Sequence, residues 1–527
     1  MPTVTPTTTL EVLLGGCILG ESELPCVLGG TWTDVTADTR VGVQPIDVGY
    51  GIEGTGPTDR IASTGTMQFS LNNASSNSTG NAGAYSPGHT NARDGWDLGV
   101  RCRLKLAYSG TDYYKFFGTV TSIVPDAGQY QRQAVAVTAV DWMDEAATSK
   151  IKSIEIATAQ RADQLVTTLV EDAVDRQPAQ TDFDTTISTF AFAFDNLLDQ
   201  QTSVITALRD VVNSELGFLY VKGSTVSPGG VLRLESRHAR PLTPTAAHTF
   251  DETMVSLEAS RARADLINRI YIVVHPRTVS AATNIVLWEL TTTDSVPSIP
   301  AGETLYITAP FTEASINAYR VGGQSLTTPV AGTDWIAYDA ASGGSVITGD
   351  TTYTISETAA NAAVLAFQNN GLVTAYLQTV QLRGQTVKDI SETVVSAVDE
   401  GSKTKFGALD RRLDMKYEAD VTLASNAAEW LLNVNSSPRY VLKAMTVTGS
   451  TSALLTQVLA REPGDRIAVT ETMTGLDAVG YFINGVKMHI DPSGLTSVDW
   501  SLAPAEQQSA WILNTSLLGI GTTLGFA

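Results

Sequence analysis

Cysteine, histidine and positive charge are all scarce in this chain, and each shortage removes a class of chemistry. Cys17, Cys26 and Cys102 are the only cysteines in 527 residues, and no two keep the spacing of a metal site. Cys17 and Cys26 alone could close a small loop; the expectation is three buried free thiols in a protein made in a reducing cytoplasm. The five histidines, His89, His238, His248, His275 and His489, lack the HxxxH and HExxH spacings that set two imidazoles on one helical face for zinc. Neither a GxxxxGK[ST] phosphate cradle nor a GxSxG nucleophile elbow occurs, and no GxGxxG dinucleotide fingerprint is expected. Lys and Arg total 34 against 55 Asp and Glu, a formal charge of −21. That balance argues against a protein whose task is to grip a nucleic acid backbone, because phosphate binding rests on Lys and Arg. It fits a self-repelling soluble surface, or a channel wall past which DNA slides. Long apolar runs are missing too. The segment Leu10 to Gly20 carries Glu11, lacks a basic start and is too short to span a bilayer, so neither a signal peptide nor a transmembrane helix is expected.

What is present is β-rich text. Hydrophobic residues make up 43% and charged residues 17%, in a chain too long for a single core. From Leu10 to Ala147, runs such as "TMQFSLNN", "VRCRLKLAY", "YYKFFGTVTSIV" and "QAVAVTAV" alternate and are broken by Gly, Pro, Asn and Ser. They read as an antiparallel barrel or sandwich. The stretch Asn72 to Gly88 reads as a flexible surface loop. Past Ala157, Leu165, Val166, Leu169, Val170, Ala173 and Val174 recur at helical spacing. A second helix, capped by Thr202 or Ser203 and ended at Gly217, leads to a hairpin and the strand "NRIYIVVHPR". Strands return after Ala281, with a helical patch expected at "SETAANAAVLAFQNN". After a charged linker from Ala397 to Asp414, a helix capped by Ser425 precedes four more strands and a glycine-punctuated apolar ending.

The expected organisation is mainly β with α+β. It comprises an N-terminal extension (1–29), a β-barrel domain (30–150), an α+β domain (151–280), an inserted β-sandwich-like domain (281–385), a second β-barrel or α+β domain (386–510) and a docking tail (511–527).

Candidate chemistry is thin. Asp141, Asp144 and Glu145 follow the strand "QAVAVTAV". As a calcium site they lack loop spacing; as the first turn of a helix they need nothing more, because carboxylates favour that position. The tryptophans, at 32, 96, 142, 288, 335, 430, 500 and 511, read as anchors of cores and interfaces. Asn-x-Ser/Thr matches at Asn73, Asn77, Asn435 and Asn514 are what a Ser/Thr-rich chain yields by chance. No catalytic residue, metal ligand or cofactor is expected.

The order of pieces in the first third carries more information. Trp32 to Thr36, Gly65 to Asn73, Tyr85 to Gly88, Leu98 with Gly99, Phe116 to Gly118 and Ala139 to Asp141 follow one another as they do in minor tail proteins of long-tailed bacteriophages, which this region resembles. Looser matches continue through "EPGDRIAVTET", "GYFINGVKMHID" and the ending, with Ala281 to Asn370 the weakest. The resemblance implies a structural, non-enzymatic baseplate hub at the virion tail tip. In that arrangement two β-barrel domains and an intervening α+β unit from each of three subunits would form a ring closing the tail tube. Implied partners are further copies of the chain as a homotrimer, distal tail and other tail-tip proteins, and the tape measure protein. A host surface glycan would be met through residues 281–385, and DNA would be passing cargo. Alternatives are a receptor-binding minor tail or distal tail protein and, from another class, a tail-associated cell-wall hydrolase.

Overall fold

The computed structural model describes residues 4–15, 30–54, 56, 58–127, 133–198, 201–290, 296–313, 319–389, 392–505, 509–510 and 522–523. Cys17, Cys26, Trp511, the Asn514 sequon and nearly all of the expected docking tail lie outside the described residues.

Seven strands open the chain: β1 (Thr7–Leu14), β2 (Thr31–Asp34), β3 (Ile46–Gly51), β4 (Thr66–Asn72), β5 (Arg101–Tyr108), β6 (Thr111–Pro125) and β7 (Ala134–Val140). Their alternation sets their faces. On β5, Cys102, Leu104 and Leu106 are wholly buried while Arg101 is exposed; Met67, Phe69 and Leu71 do the same on β4. The stretch expected to be a flexible surface loop is instead packed. The phenol of Tyr85 and the backbone and hydroxyl of Ser78 all donate to the buried Asp38 carboxylate, and Trp96 Nε1 donates to the Tyr85 carbonyl at 3.0 Å. Its Asn and Ser side chains satisfy local backbone groups, which lets a polar segment fold over the sheet.

The α+β body follows: α1 (Trp142–Thr148), β8 (Ala157–Arg161), α2 (Ala162–Asp172), β9 (Thr181–Phe183), β10 (Thr189–Ala193), α3 (Val204–Glu215), β11 (Phe218–Lys222) and β12 (Val231–Glu235). The helical stripes read from sequence close onto each other, with Leu165, Val166, Leu169, Val204, Leu208 and Val211 all buried in one core. Ser203 is the N-cap position of α3, and Leu216 takes the left-handed conformation (φ 60°) just before Gly217.

The chain then gives β13 (Thr249–Asp251), β14 (Ser256–Ser260) and β15 (Arg269–Val274) before entering an inserted unit. That unit holds β16 (Arg277–Val279), β17 (Ile285–Glu289), β18 (Ser298–Ile299), β19 (Thr304–Pro310), β20 (Thr312–Glu313), β21 (Tyr319–Arg320), β22 (Gly322–Gln324), β23 (Trp335–Tyr338), β24 (Thr351–Ala359), β25 (Ala362–Asn369) and β26 (Ala375–Asp389). The long β26 pairs with β16, β17, β18, β22 and β23, while β19, β25 and β24 form a second sheet across a separate core. The helical patch expected here is a correction: those residues are the β24–β25 hairpin. At its tip the Ala360 N–H donates to the Ile154 carbonyl at 2.7 Å and the Asn361 amide donates to the Leu197 carbonyl, so docking on the body overrides the helix preference of the alanines.

The return brings β27 (Thr393–Val398), α4 (Glu400–Phe406), β28 (Asp410–Met415), α5 (Val421–Asn435), β29 (Val441–Thr448), α6 (Ser452–Ala460), β30 (Arg466–Glu471), β31 (Leu476–Ile490) and β32 (Thr496–Pro504). Two expectations change here. Helix α5 starts a turn early because Asp420, not Ser425, caps it, accepting from the Thr422 and Leu423 N–H groups. The charged linker also contains α4, capped by Asp399.

The chain is mainly β with an α+β body and an inserted β unit, as expected. The two strand-rich regions expected as separate barrels are joined, however. One thirteen-stranded sheet runs β14-β29-β32-β31-β3-β4-β7-β6-β5-β1-β2, with β30 on β31 and β13 on β30, and one apolar core underlies both regions. The described pairings close neither region into a barrel.

Candidate assembly interface

The sheet is a repeat. In the first half the strands β3 to β7 lie in the spatial order β5-β6-β7-β4-β3; in the second, β14 and β29 to β32 lie in the order β30-β31-β32-β29-β14. Strand for strand, this is one connectivity used twice. The match extends to single residues. The fourth strand of each half is 15 residues long. In β6, Val120 exchanges hydrogen bonds with Val100 and Gly99, both at 2.8 Å; in β31, Ile483 exchanges them with Asp465 at 2.9 Å and Gly464 at 2.8 Å. One residue later each strand bulges against its next neighbour, at Thr121 and at Asn484.

The halves meet where β3 pairs antiparallel with the later part of β31, from Ile46 opposite Ile490 to Gly51 opposite Gly485. Backbones approach closely at this joint. A Cβ on Gly51 (φ +97°) would lie 2.5 Å from the Asn484 carbonyl oxygen, and one on Gly485 would lie 2.8 Å from the Ile52 carbonyl oxygen. The sequence does contain a GxGxxG match, Gly49 to Gly54, but it runs along β3 into a loop rather than into a helix N-terminus. Its middle glycine serves the close approach of β3 to β31, not a pyrophosphate.

Buried charges tie the joint to the body. The Glu462 carboxylate accepts from Tyr50 Oη and the Gly223 N–H, each at 2.9 Å, and from Lys115 Nζ at 2.5 Å. It thereby links both halves and the strand β11. Burial, with the neighbouring Glu462 charge, pushes the Tyr50 phenol well above its ordinary value. Beside it, Arg240 donates to Glu235 and to Asn484 Oδ1, each at 2.9 Å, and Asn484 donates to the Gly54 carbonyl at 2.8 Å. The sequence signal for this network was Lys115, a charge set in an aromatic strand that must find a buried acid. On the opposite face the sheet is polar and concave, a hollow of about 720 Å³ whose lining includes Asp47, Gln68, Lys487 and Asp499. There Asp47 pairs with His489 at 2.6 Å across the joint.

Among the described residues, several of those singled out from sequence serve caps and packing. Asp141 Oδ1 accepts from the Met143 N–H at 3.0 Å as the N-cap of α1, with Asp144 and Glu145 in the first turn. Burial raises the Asp141 carboxyl to about 7, with its other oxygen set against Gly65. Cys102 is buried, which pushes its thiol up. The tryptophans pack apart: Trp96 edge-on to Tyr85, Trp335 on Tyr353, Trp500 on Phe250. Among the described residues no group of three His, Cys, Asp or Glu side chains is placed to hold a metal ion, and no helix is long and apolar enough to cross a membrane.

One histidine stands in a charged cluster. His275, at the entry to the inserted unit, lies 2.6 Å from Asp389 at the exit and 2.6 Å from Asp414 on β28. Burial opposes its protonation, but the two carboxylates outweigh that and lift it to about 9. Arg277 next to it holds Asp195 of the body through two bonds, at 2.9 and 3.0 Å. The cluster is a latch at the stem of the insert.

No protein-family model matches the chain, and no curated protein does. Solved structures to which it is similar include tail proteins. The 43 kDa tail protein of prophage MuSo2 from Shewanella oneidensis is 10% identical, with 95% of this chain and 100% of that one covered at a TM-score of 0.45. A tail protein from Neisseria meningitidis MC58 is 10% identical over 95% of this chain and 96% of that one, at 0.46. A prophage tail protein, gp18, from Listeria monocytogenes EGD-e is 8% identical over 94% of each chain, at 0.39. These are distant likenesses in the course of the chain.

Proposed function

We propose that this protein is a non-enzymatic structural subunit of a bacteriophage tail tip, the hub that closes the tail tube. The observation that carries the reading is the repeated five-strand module, set side by side within one chain. A subunit built of two like modules doubles the apparent symmetry of any ring it forms, so three copies would offer six similar faces to a sixfold tube. The ordered motifs from Trp32 to Asp141 support the same role. In this reading the partners are two further copies of the chain, distal tail and other tail-tip proteins, and the tape measure protein. The polar face of the sheet would line the passage for DNA. The inserted unit stands out from the ring and exposes Tyr306 and Leu372, which are 63% and 96% accessible, as the part free to meet a host surface glycan.

The test is electron microscopy of virions with an antibody against this chain. Label at one tail end, at three copies per particle, is the expected result. Label along fibres, or none on particles, would refute the hub, and a band on peptidoglycan zymography that vanished with one Asp or Glu substitution would refute the non-enzymatic reading.

A further inference from the structure

Among the described residues the internal joint has no counterpart on the other side of the sheet, and both of its halves are present there without a partner strand. In the joint, the first strand of one module (β3) lies against the end of the fourth strand of the other (β31). The equivalent pieces left over are the first strand of the second module, β14, and the end of the fourth strand of the first module, residues 122–125 of β6. Among the described residues β14 pairs only with β29, which makes it the terminal strand of the sheet. On β6, the β5 pairing stops at Thr119 and the β7 pairing runs on to Pro125, so beyond Val120 one edge of β6 has no described strand beside it.

We propose that β14 of one copy of this chain pairs antiparallel with residues 122–125 of β6 in a second copy, repeating the internal joint between molecules. The proposal rests on the reading of the chain as a ring-forming subunit and specifies the contact that closes the ring. The repeat also sets the register. Bulge residues Thr121 and Asn484 align the fourth strands, so that Val124 corresponds to Lys487. Pairing of Asp47 with Gln68 and of Glu258 with Ala444 aligns the first strands, so that Ser260 corresponds to Gly49. Gly49 is opposite Lys487 in the internal joint, which sets Ser260 of one copy opposite Val124 of the next.

The chemistry of these edges agrees. Val124 is 55% exposed on a sheet whose other valines are mostly buried, and Ile123 beside it is half-buried. Two residues past β14 the backbone is extended at Ala262 (φ −107°, ψ 147°), the position that this register sets opposite Ser122. Pro125 offers no N–H, which limits how far another strand can extend along this edge and discourages promiscuous pairing. Two unlike edges on one molecule make a heterologous contact, and such contacts close into rings when the rotation between copies allows. If the contact between copies repeats the internal joint, the same step between modules recurs around the ring.

Full-length protein carrying both Ser260→Cys and Val124→Cys tests this, with each single variant and the pair Ser256→Cys with Val124→Cys, four residues out of register, as controls. Native mass measurement of each variant runs alongside mild oxidation and a non-reducing gel. Covalent oligomers from the in-register pair, absent from the controls, are expected. Oligomers by native mass with no cross-link in the in-register pair, or cross-linking in the displaced pair instead, would overturn the joint while leaving self-assembly standing. A monomer at the highest soluble concentration, with no cross-link, would overturn the joint and the ring-forming reading together.

Discussion

The two sheet modules and the inserted unit are both attached to the rest of the chain, but by different physics. The modules share continuous backbone pairing and one apolar core in which Trp500, Phe250, Val486 and Met67 are almost wholly inaccessible. The insert has its own core and meets the body through a hairpin tip and a cluster of charges at its stem. Burial of apolar area is non-directional and insensitive to pH, whereas a charged latch depends on protonation and on geometry. The joint between the modules belongs to the first kind. The stem of the insert belongs to the second.

The largest expected effect comes from breaking the shared core. Trp500→Ala should cost about 3–5 kcal/mol, seen as a lower midpoint in denaturant unfolding, with the transition of the insert unmoved. Next is the joint itself. Gly51→Ala places a methyl against the Asn484 carbonyl at positive φ and should cost about 1–3 kcal/mol; hydrogen exchange should quicken along β3 and the later part of β31 before it does in β5.

The latch should respond on its own. His275→Ala leaves Asp389 and Asp414 without their shared donor and should cost about 1–3 kcal/mol, read as faster proteolysis at the stem with the sheet's melting unchanged. The sign with pH follows from the raised imidazole. Its stabilisation is complete below its ordinary value of 6.5 and is lost as pH rises through about 9, so the stem of the native protein should open to protease across that window. Asp141 sharpens the contrast with the opposite chemistry. The folded state holds its proton up to about 7 against an ordinary value of 3.8, so stability should fall between those values as pH rises and then level off. Asp141→Asn, which keeps a capping oxygen, should remove that slope in a pH series of melting temperatures, the smallest effect of the set.

Much of the fold was legible because alternation and helical spacing survive in the sequence. The aromatic strand of β6, the strand β7 and the stripes of α2 and α3 lie where their patterns predict. The joint was not legible. The two modules share topology, not text, and the tripeptide Val-Asp-Trp that does recur misleads. Val140 to Trp142 ends a strand and caps a helix, whereas Val498 to Trp500 lies within β32. Helix α6 went unread because "SALLTQVLA" sits between strands of similar composition. The β24–β25 hairpin was misread because its alanines favour a helix until the body supplies docking partners. Long-range pairing, the very feature that makes the candidate interface, leaves no local signature.

The most direct test of the account is single-particle electron microscopy of the purified full-length chain. The account predicts a threefold ring with six similar sheet modules around a central opening and three inserted units projecting outward. Particles without rotational symmetry, or rings in which the two modules of each chain occupy unlike positions around the opening, would contradict it.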